Sequence, residues 1–237
     1  MRLVGFVAVL GVVAASLFGC RGAIDNGTDD GGGPANMRMR LVQLVPDFPA
    51  GPITQLYWKA RPVSPRRLEY REDSGYQSVV SGTSDLILAV GDLGQVATKR
   101  EFLYTDREYT IVASGFYGNG SVNLLALEDN DLPISDKVKV RAFHGTPVVG
   151  GVDVYITGPN VDLADVEPNQ RSLNYLEASP YFAIEPGAYR IRITAAGTKD
   201  VAIDSGSLNG RANSIVTVFA TGGGGEPLRG LVLTDRR

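Results

Sequence analysis

His144 is the only histidine in the chain, and it sits close in sequence to Thr146 and Asp153. A hydroxyl, an imidazole and a carboxylate are the groups of a nucleophilic triad, and an unperturbed imidazole is the one side chain that suits a general base at neutral pH. The hydroxyl has no strained Gly-x-Ser-x-Gly elbow to present it. A second cluster, Glu128, Asp129 and Asp131, offers hard oxygen ligands, which suit calcium at a hinge. A third set recurs along the chain: Glu72 with Tyr76, and Glu177 with Tyr181. These either line equivalent ligand grooves or serve as scaffold, with the glutamates accepting from turn amides and each tyrosine burying its ring while its hydroxyl caps a backbone group. Arg61 with Arg66-Arg67 makes a basic loop suited to anionic lipid or polysaccharide. Glycosidase chemistry needs two carboxylates a few ångströms apart, and none of the 26 acidic residues is singled out for it.

Counting excludes much else. There is a single Cys, so disulfide frameworks and Cys/His zinc sites are ruled out, and no cofactor is implied. The 23 basic residues against 26 acidic ones give a net charge of −3, which leaves no general attraction for nucleic acid phosphates. The chain is 43% apolar and 21% charged, the ordinary globular range, and 29 glycines with 13 prolines favour turns over long helices.

The first residues read as an address. Met1-Arg2 is a short basic start, and Leu3 to Gly19 is apolar or small throughout. That stretch lies at the lower limit of the ~17–25 residues a membrane span needs, and no cluster of positive charge follows to stop transfer, so it is expected to be a secretory signal. The ending Leu17-Phe18-Gly19-Cys20 resembles the lipobox of bacterial lipoproteins, although Phe18 departs from the small residue usual at that place. The resemblance implies cleavage before Cys20 and lipid on its sulfur, which would account for a lone thiol in an exported chain. Several acyl chains at about 0.8 kcal/mol per buried methylene would hold the protein to a membrane without spanning it. Arg21 after the cysteine implies, by the same resemblance and for a Gram-negative host, the outer membrane rather than the inner one. Residues 20–37 are dominated by Gly, Asp and Asn, and are expected to form a tether reaching roughly 20–25 Å as an ideal chain. Asp25 to Gly31 lacks the closing Glu and flanking helices of an EF-hand.

Beyond residue 37 the pattern predicts ten short strands: Met39–Val45, Thr54–Trp58, Asp85–Val90, Tyr109–Ser114, Val122–Leu127, Lys137–Phe143, Val152–Ile156, Tyr189–Thr194, Ile215–Thr221 and Gly230–Leu233. In Tyr189 to Thr194, Ile191 and Ile193 alternate with Arg190 and Arg192, as in a half-buried strand. No stretch carries a sustained helical stripe. The second half echoes the first. Tyr70, Glu72, Ser74, Tyr76 and Gly82 recur at a constant offset of 105 as Tyr175, Glu177, Ser179, Tyr181 and Gly187. Tyr109 to Gly115 matches Val216 to Gly222, and Leu124 to Asp129 matches Gly230 to Asp235. By this alignment His144 falls opposite Val45, the end of a strand. A period near 100 is the size of one sandwich, so the expected organisation is a signal peptide (1–19), a lipidated Cys20 with its tether (20–37), a first β-sandwich (38–130), a linker (131–136) and a second β-sandwich (137–237).

Val138 to Pro147, the Val152-Asp-Val-Tyr155 strand, Ala178 to Tyr181, Pro186 to Arg192, Ala196-Gly-Thr198 and the closing Leu231 to Asp235 are similar to domain of unknown function family 4397. The resemblance covers nearly all of 137–236 and, more faintly, 38–130. It implies immunoglobulin-like antiparallel sandwiches on exported, often lipid-anchored bacterial proteins, and it brings no catalytic residues. The first half departs from it, with Pro46-Asp-Phe-Pro49 in place of His-Gly-Thr-Pro and Gln55-Leu-Tyr-Trp58 in place of the Asp-Val-Tyr strand. The expected function is a lipid-anchored, non-enzymatic envelope protein that binds, adheres or spaces, with an envelope protein or polysaccharide as partner. A hydrolase of envelope glycans or esters and a calcium-rigidified stalk are the alternatives.

Overall fold

The computed structural model describes residues 36–49, 54–63, 68–129 and 132–236. Cys20, Asp25 to Gly31, Arg66-Arg67 and Asp131 lie outside them. The first half contains β1 (Asn36–Gln43), β2 (Thr54–Trp58), β3 (Arg61–Pro62), β4 (Gln77–Val80), β5 (Gly82–Val90), β6 (Gly94–Leu103), β7 (Glu108–Ser114) and β8 (Asn123–Glu128). The second contains β9 (Val138–His144), β10 (Val152–Thr157), β11 (Gln170–Leu173), β12 (Phe182–Ile184), β13 (Gly187–Ala195), β14 (Val201–Gly210), β15 (Ile215–Gly223) and β16 (Glu226–Arg236). The one helical piece among the described residues is a 3-10 turn at Gly91–Leu93.

Each half is a sandwich of two four-stranded sheets. Strand orders β4-β1-β7-β8 and β3-β2-β5-β6 build the first, and β12-β9-β15-β16 and β11-β10-β13-β14 repeat the plan in the second. The all-β, duplicated sandwich expected from the pattern is therefore present. One feature departs from a purely antiparallel scheme: β1 runs parallel to β7, and β9 parallel to β15. Parallel neighbours need a long crossover, and here the connection between them carries the whole second sheet of each half.

Period-2 alternation decides what each central strand touches. Met37, Met39 and Leu41 of β1, with Tyr109, Ile111 and Ala113 of β7, point into the first sandwich against Leu56, Trp58, Leu86 and Leu88. Val138, Val140 and Ala142 of β9, with Val216, Val218 and Ala220 of β15, do the same in the second against Val154, Ile191 and Ile193. Where composition predicts tether through Met37, β1 begins at Asn36 and buries Met37, which is in phase with Met39 and Leu41.

The alternate residues of these strands point the other way and are buried too. Val42, Leu44, Val112 and Leu127 of the first half meet Phe143 and Phe219 of the second in a third apolar cluster that belongs to neither sandwich. The two phenyl rings sit 5.7 Å apart, tilted by 56°. Strands of an antiparallel sandwich usually keep one wet face. Here the two β1/β7 and β9/β15 faces cover each other.

Candidate functional site

The residues that suggest a triad do not converge. His144 is fully buried; its Nε2 lies 2.9 Å from the Gly150 carbonyl, and its Nδ1 has no hydrogen-bond partner. Thr146 donates to the Gly222 carbonyl at 2.9 Å. Asp153 accepts from the backbone amides of Ser172 and Gly197, each at 2.8 Å, which ties the edge strand β11 and the β13/β14 turn to β10. Burial, outweighing the nearby carbonyls and Glu177, holds the His144 imidazole below its ordinary pKa. The parallel registers also correct its alignment. Gln43 stands opposite Ala113 and His144 opposite Ala220, so His144 corresponds to Gln43 rather than to Val45. Gln43 bridges two residues ahead to Val45, and His144 reaches forward to Gly150 in the same way.

Glu72 and Glu177 are scaffold. Glu72 accepts from the Glu69 amide at 3.1 Å and Glu177 from the Asn174 amide at 2.9 Å. Ser74 and Ser179 accept from the amides of Leu41 and Ala142. The tyrosines depart from expectation: their hydroxyls meet carboxylates instead of backbone. Tyr76 donates to Asp129 at 2.9 Å and Tyr181 to Asp235 at 3.3 Å. A buried carboxylate is the stronger acceptor and lies at the end of the strand on the opposite edge of the same sheet in each copy.

These pairs belong to a network between the halves. Arg40 of β1 donates through Nε to Thr110 at 2.8 Å and through Nη2 to Asp235 of the other half. Arg141 of β9 donates through Nε to Thr217 at 3.1 Å and through Nη2 to Asp129 of the first half. Thr110 passes its proton bond to Asp129 and Thr217 to Asp235, each at 2.5 Å. Each guanidinium lies 4.6 Å from the centre of its own tyrosine ring. All four charged side chains are at most 5% exposed, and their formal charges cancel. Burial and the neighbouring Asp129 charge raise the Asp235 carboxyl, while Arg40 and Arg141 oppose them. Burial first, then Asp129, pushes the Tyr76 hydroxyl far above the phenol range, so it remains a donor.

A second crossed set lies beside the first. Tyr70 meets Thr221 at 2.7 Å, and Tyr175 meets Ser114 at 3.3 Å. Ser114 also donates to the Gly145 carbonyl at 2.7 Å. The contacts are related as in an isologous interface, residue for residue, within one chain. The sequence signal for this was present: Arg40 and Arg141 occupy the same place in Met39-Arg-Leu41 and Val140-Arg-Ala142, and Asp129 repeats as Asp235.

The calcium candidates take separate paths. Exposed Glu128 pairs with Arg107 at 3.1 Å, and Asp129 turns inward to Arg141, as strand alternation requires. No group of three or more His, Cys, Asp or Glu residues gathers as a metal site among the described residues. Arg61 is exposed on the short edge strand β3. Open hollows lie on the described surface. One of about 420 Å³ lies by Met37, Arg38 and Arg107, and one of about 520 Å³ lies by Tyr189 and Arg211.

A family model described as a domain of unknown function, DUF4397, matches residues 37–155 and 156–237. The chain belongs to this family. Its two DUF4397 matches meet inside β10, whereas the sheets divide between β8 and β9. No curated protein matches the chain. Among solved structures, this DUF4397 protein is similar to CBMbc, a family CBM26 domain from Eubacterium rectale Amy13K crystallised with maltoheptaose. The identity is 12%, the match covers 85% of this chain and 97% of that one, and the TM-score is 0.27.

Proposed function

We propose that this protein is a non-enzymatic binding or spacing element of the bacterial cell envelope, moored to the membrane through lipid on Cys20. The observation that supports it best is the clamp. Two sandwiches joined by a desolvated, fully bonded network make a stiff unit, and none of the candidate catalytic groups is free to reach a common substrate atom. The apolar Leu3 to Gly19 stretch, the Leu17 to Cys20 ending and the Gly-rich residues before β1 support the mooring, and Arg21 favours the outer membrane. The partner is an envelope polysaccharide or protein.

Growth with labelled palmitate tests the anchor. Label on the wild-type chain and none on C20S is the expected result; an unlabelled wild type overturns it. Protease shaving of intact cells, with identification of what copurifies with the detergent-extracted protein, tests the binding role. A calcium-stiffened stalk would lose thermal stability with chelator, and an unchanged midpoint is expected here.

A further inference from the structure

The two copies fill one corner of the sandwich differently. The β5/β6 pairing sets Gly82 opposite Leu103, and the β13/β14 pairing sets Gly187 opposite Gly210, so Gly210 stands where the first copy has Leu103. The parallel registers set Val216 where the first copy has Tyr109. In the first sandwich Leu103 and Tyr109 are buried, and the Tyr109 hydroxyl is closed off by the Tyr104 amide at 3.1 Å. In the second, Val138 and the Tyr189 ring take the place of the Leu103 side chain, and beside Val216 lies an open hollow of about 520 Å³, within the roughly 300–1,000 Å³ of small-molecule sites.

Its wall is rich in donors. Tyr189 is only 6% exposed, and its hydroxyl has no hydrogen-bond partner among the described residues. Its ring packs into the place of the missing side chain: a Cβ on Gly210 would come within 2.7 Å of Val138 Cγ2 and 2.9 Å of Tyr189 Cε1. Asn209, Arg211, Ser214 and Thr234 complete the polar lining, and no Asp or Glu is among the lining residues. The exposed Arg211 guanidinium has no acidic partner among the described residues. A buried-end hydroxyl, an amide and an unpaired planar cation call for an acceptor-rich anion, and a guanidinium fork fits a carboxylate.

We propose that the hollow at Gly210 and Val216 of the second sandwich is a binding site for a carboxylated sugar, with the carboxylate on Arg211 and ring hydroxyls toward Tyr189, Asn209 and Thr234. The site deepens the binding reading above and rests on it. A free sugar acid and a uronate residue of a polysaccharide share this chemistry.

The full chain in detergent is titrated by calorimetry and saturation-transfer NMR with galacturonate, trigalacturonate, glucose and inorganic phosphate. Saturable binding of galacturonate or trigalacturonate is expected, the tighter of the two marking the free or the polymeric source. R211Q changes an exposed residue and should weaken it about tenfold or more. V216Y, which restores the ring of the first copy, should abolish it, and circular dichroism checks its fold. No saturable uronate binding, equal affinity for glucose, binding of phosphate alone, or unchanged affinity in R211Q overturns the site. Copurification of an envelope partner alongside any of those results leaves the broader binding role standing and removes only this site.

Discussion

Arg40 of the first sandwich closes on Asp235 of the second, and the reciprocal contact, Arg141 on Asp129, completes a clamp that is at most 5% exposed at any charged side chain. Truncating one member strands its partner's charge in a dry site, which costs far more than the pair contributes. R40A, R141A, D129A and D235A should each lower unfolding stability by about 3–5 kcal/mol in urea titrations. Replacing both members, as in R40M/D235L, should recover most of that loss. A double variant as unstable as the sum of its singles would refute the reading.

The tyrosine hydroxyls donate to those same carboxylates, so Y76F and Y181F remove a charge-assisted bond while keeping the ring under the guanidinium. Each should cost about 1.5 kcal/mol. Because Asp129 and Asp235 share the network, the double variant should depart from additivity, which a double-mutant cycle measures.

His144 makes acid destabilising. Its folded pKa lies below that of the unfolded imidazole, so the unfolded chain binds the extra proton first as pH falls below about 6.5. Stability should therefore be constant above pH 7 and decline from there toward the lower folded pKa. H144Q, carrying the residue of the equivalent position Gln43, should flatten that slope between pH 7 and 5 in thermal melts. An unchanged slope would show the proton goes elsewhere.

The β15/β16 turn holds Gly224 at φ +65, with Phe116 of the first half so close that a Cβ would approach its Cε1 to 2.7 Å. G224A combines left-handed backbone strain with that overlap and should lose about 1–3 kcal/mol. G225A, also at positive φ but with open space around it, separates the two causes and should cost less.

All ten strands expected from the pattern are present, and they include the eight central ones, β1, β2, β5, β7, β9, β10, β13 and β15. The six that alternation misses, β3, β4, β6, β11, β12 and β14, are all sheet edges. Edges carry polar, solvent-tolerant residues such as Gln95 to Glu101 of β6, so burial writes no apolar period there. The glutamate and serine scaffolding was legible because it is local to one copy. The clamp repeats its residue types in both copies but was not legible as a contact, because its bonds cross from one half to the other, at a separation of 195 for Arg40 and Asp235 and 12 for Arg141 and Asp129, and a strand arginine looks the same whether it faces water or a partner. The exchange of Leu103 for Gly210 becomes visible only once registers set the two side by side, since a glycine in an edge strand has no distinctive local signal.

Because each guanidinium reaches into the opposite half, neither sandwich completes either of these buried ion pairs by itself. A pull that parts them cannot break contacts one at a time at low cost, since the first rupture exposes two arginines and two aspartates together. Under tension the joint should therefore yield as a single event at one force, instead of lengthening by degrees like a hinge.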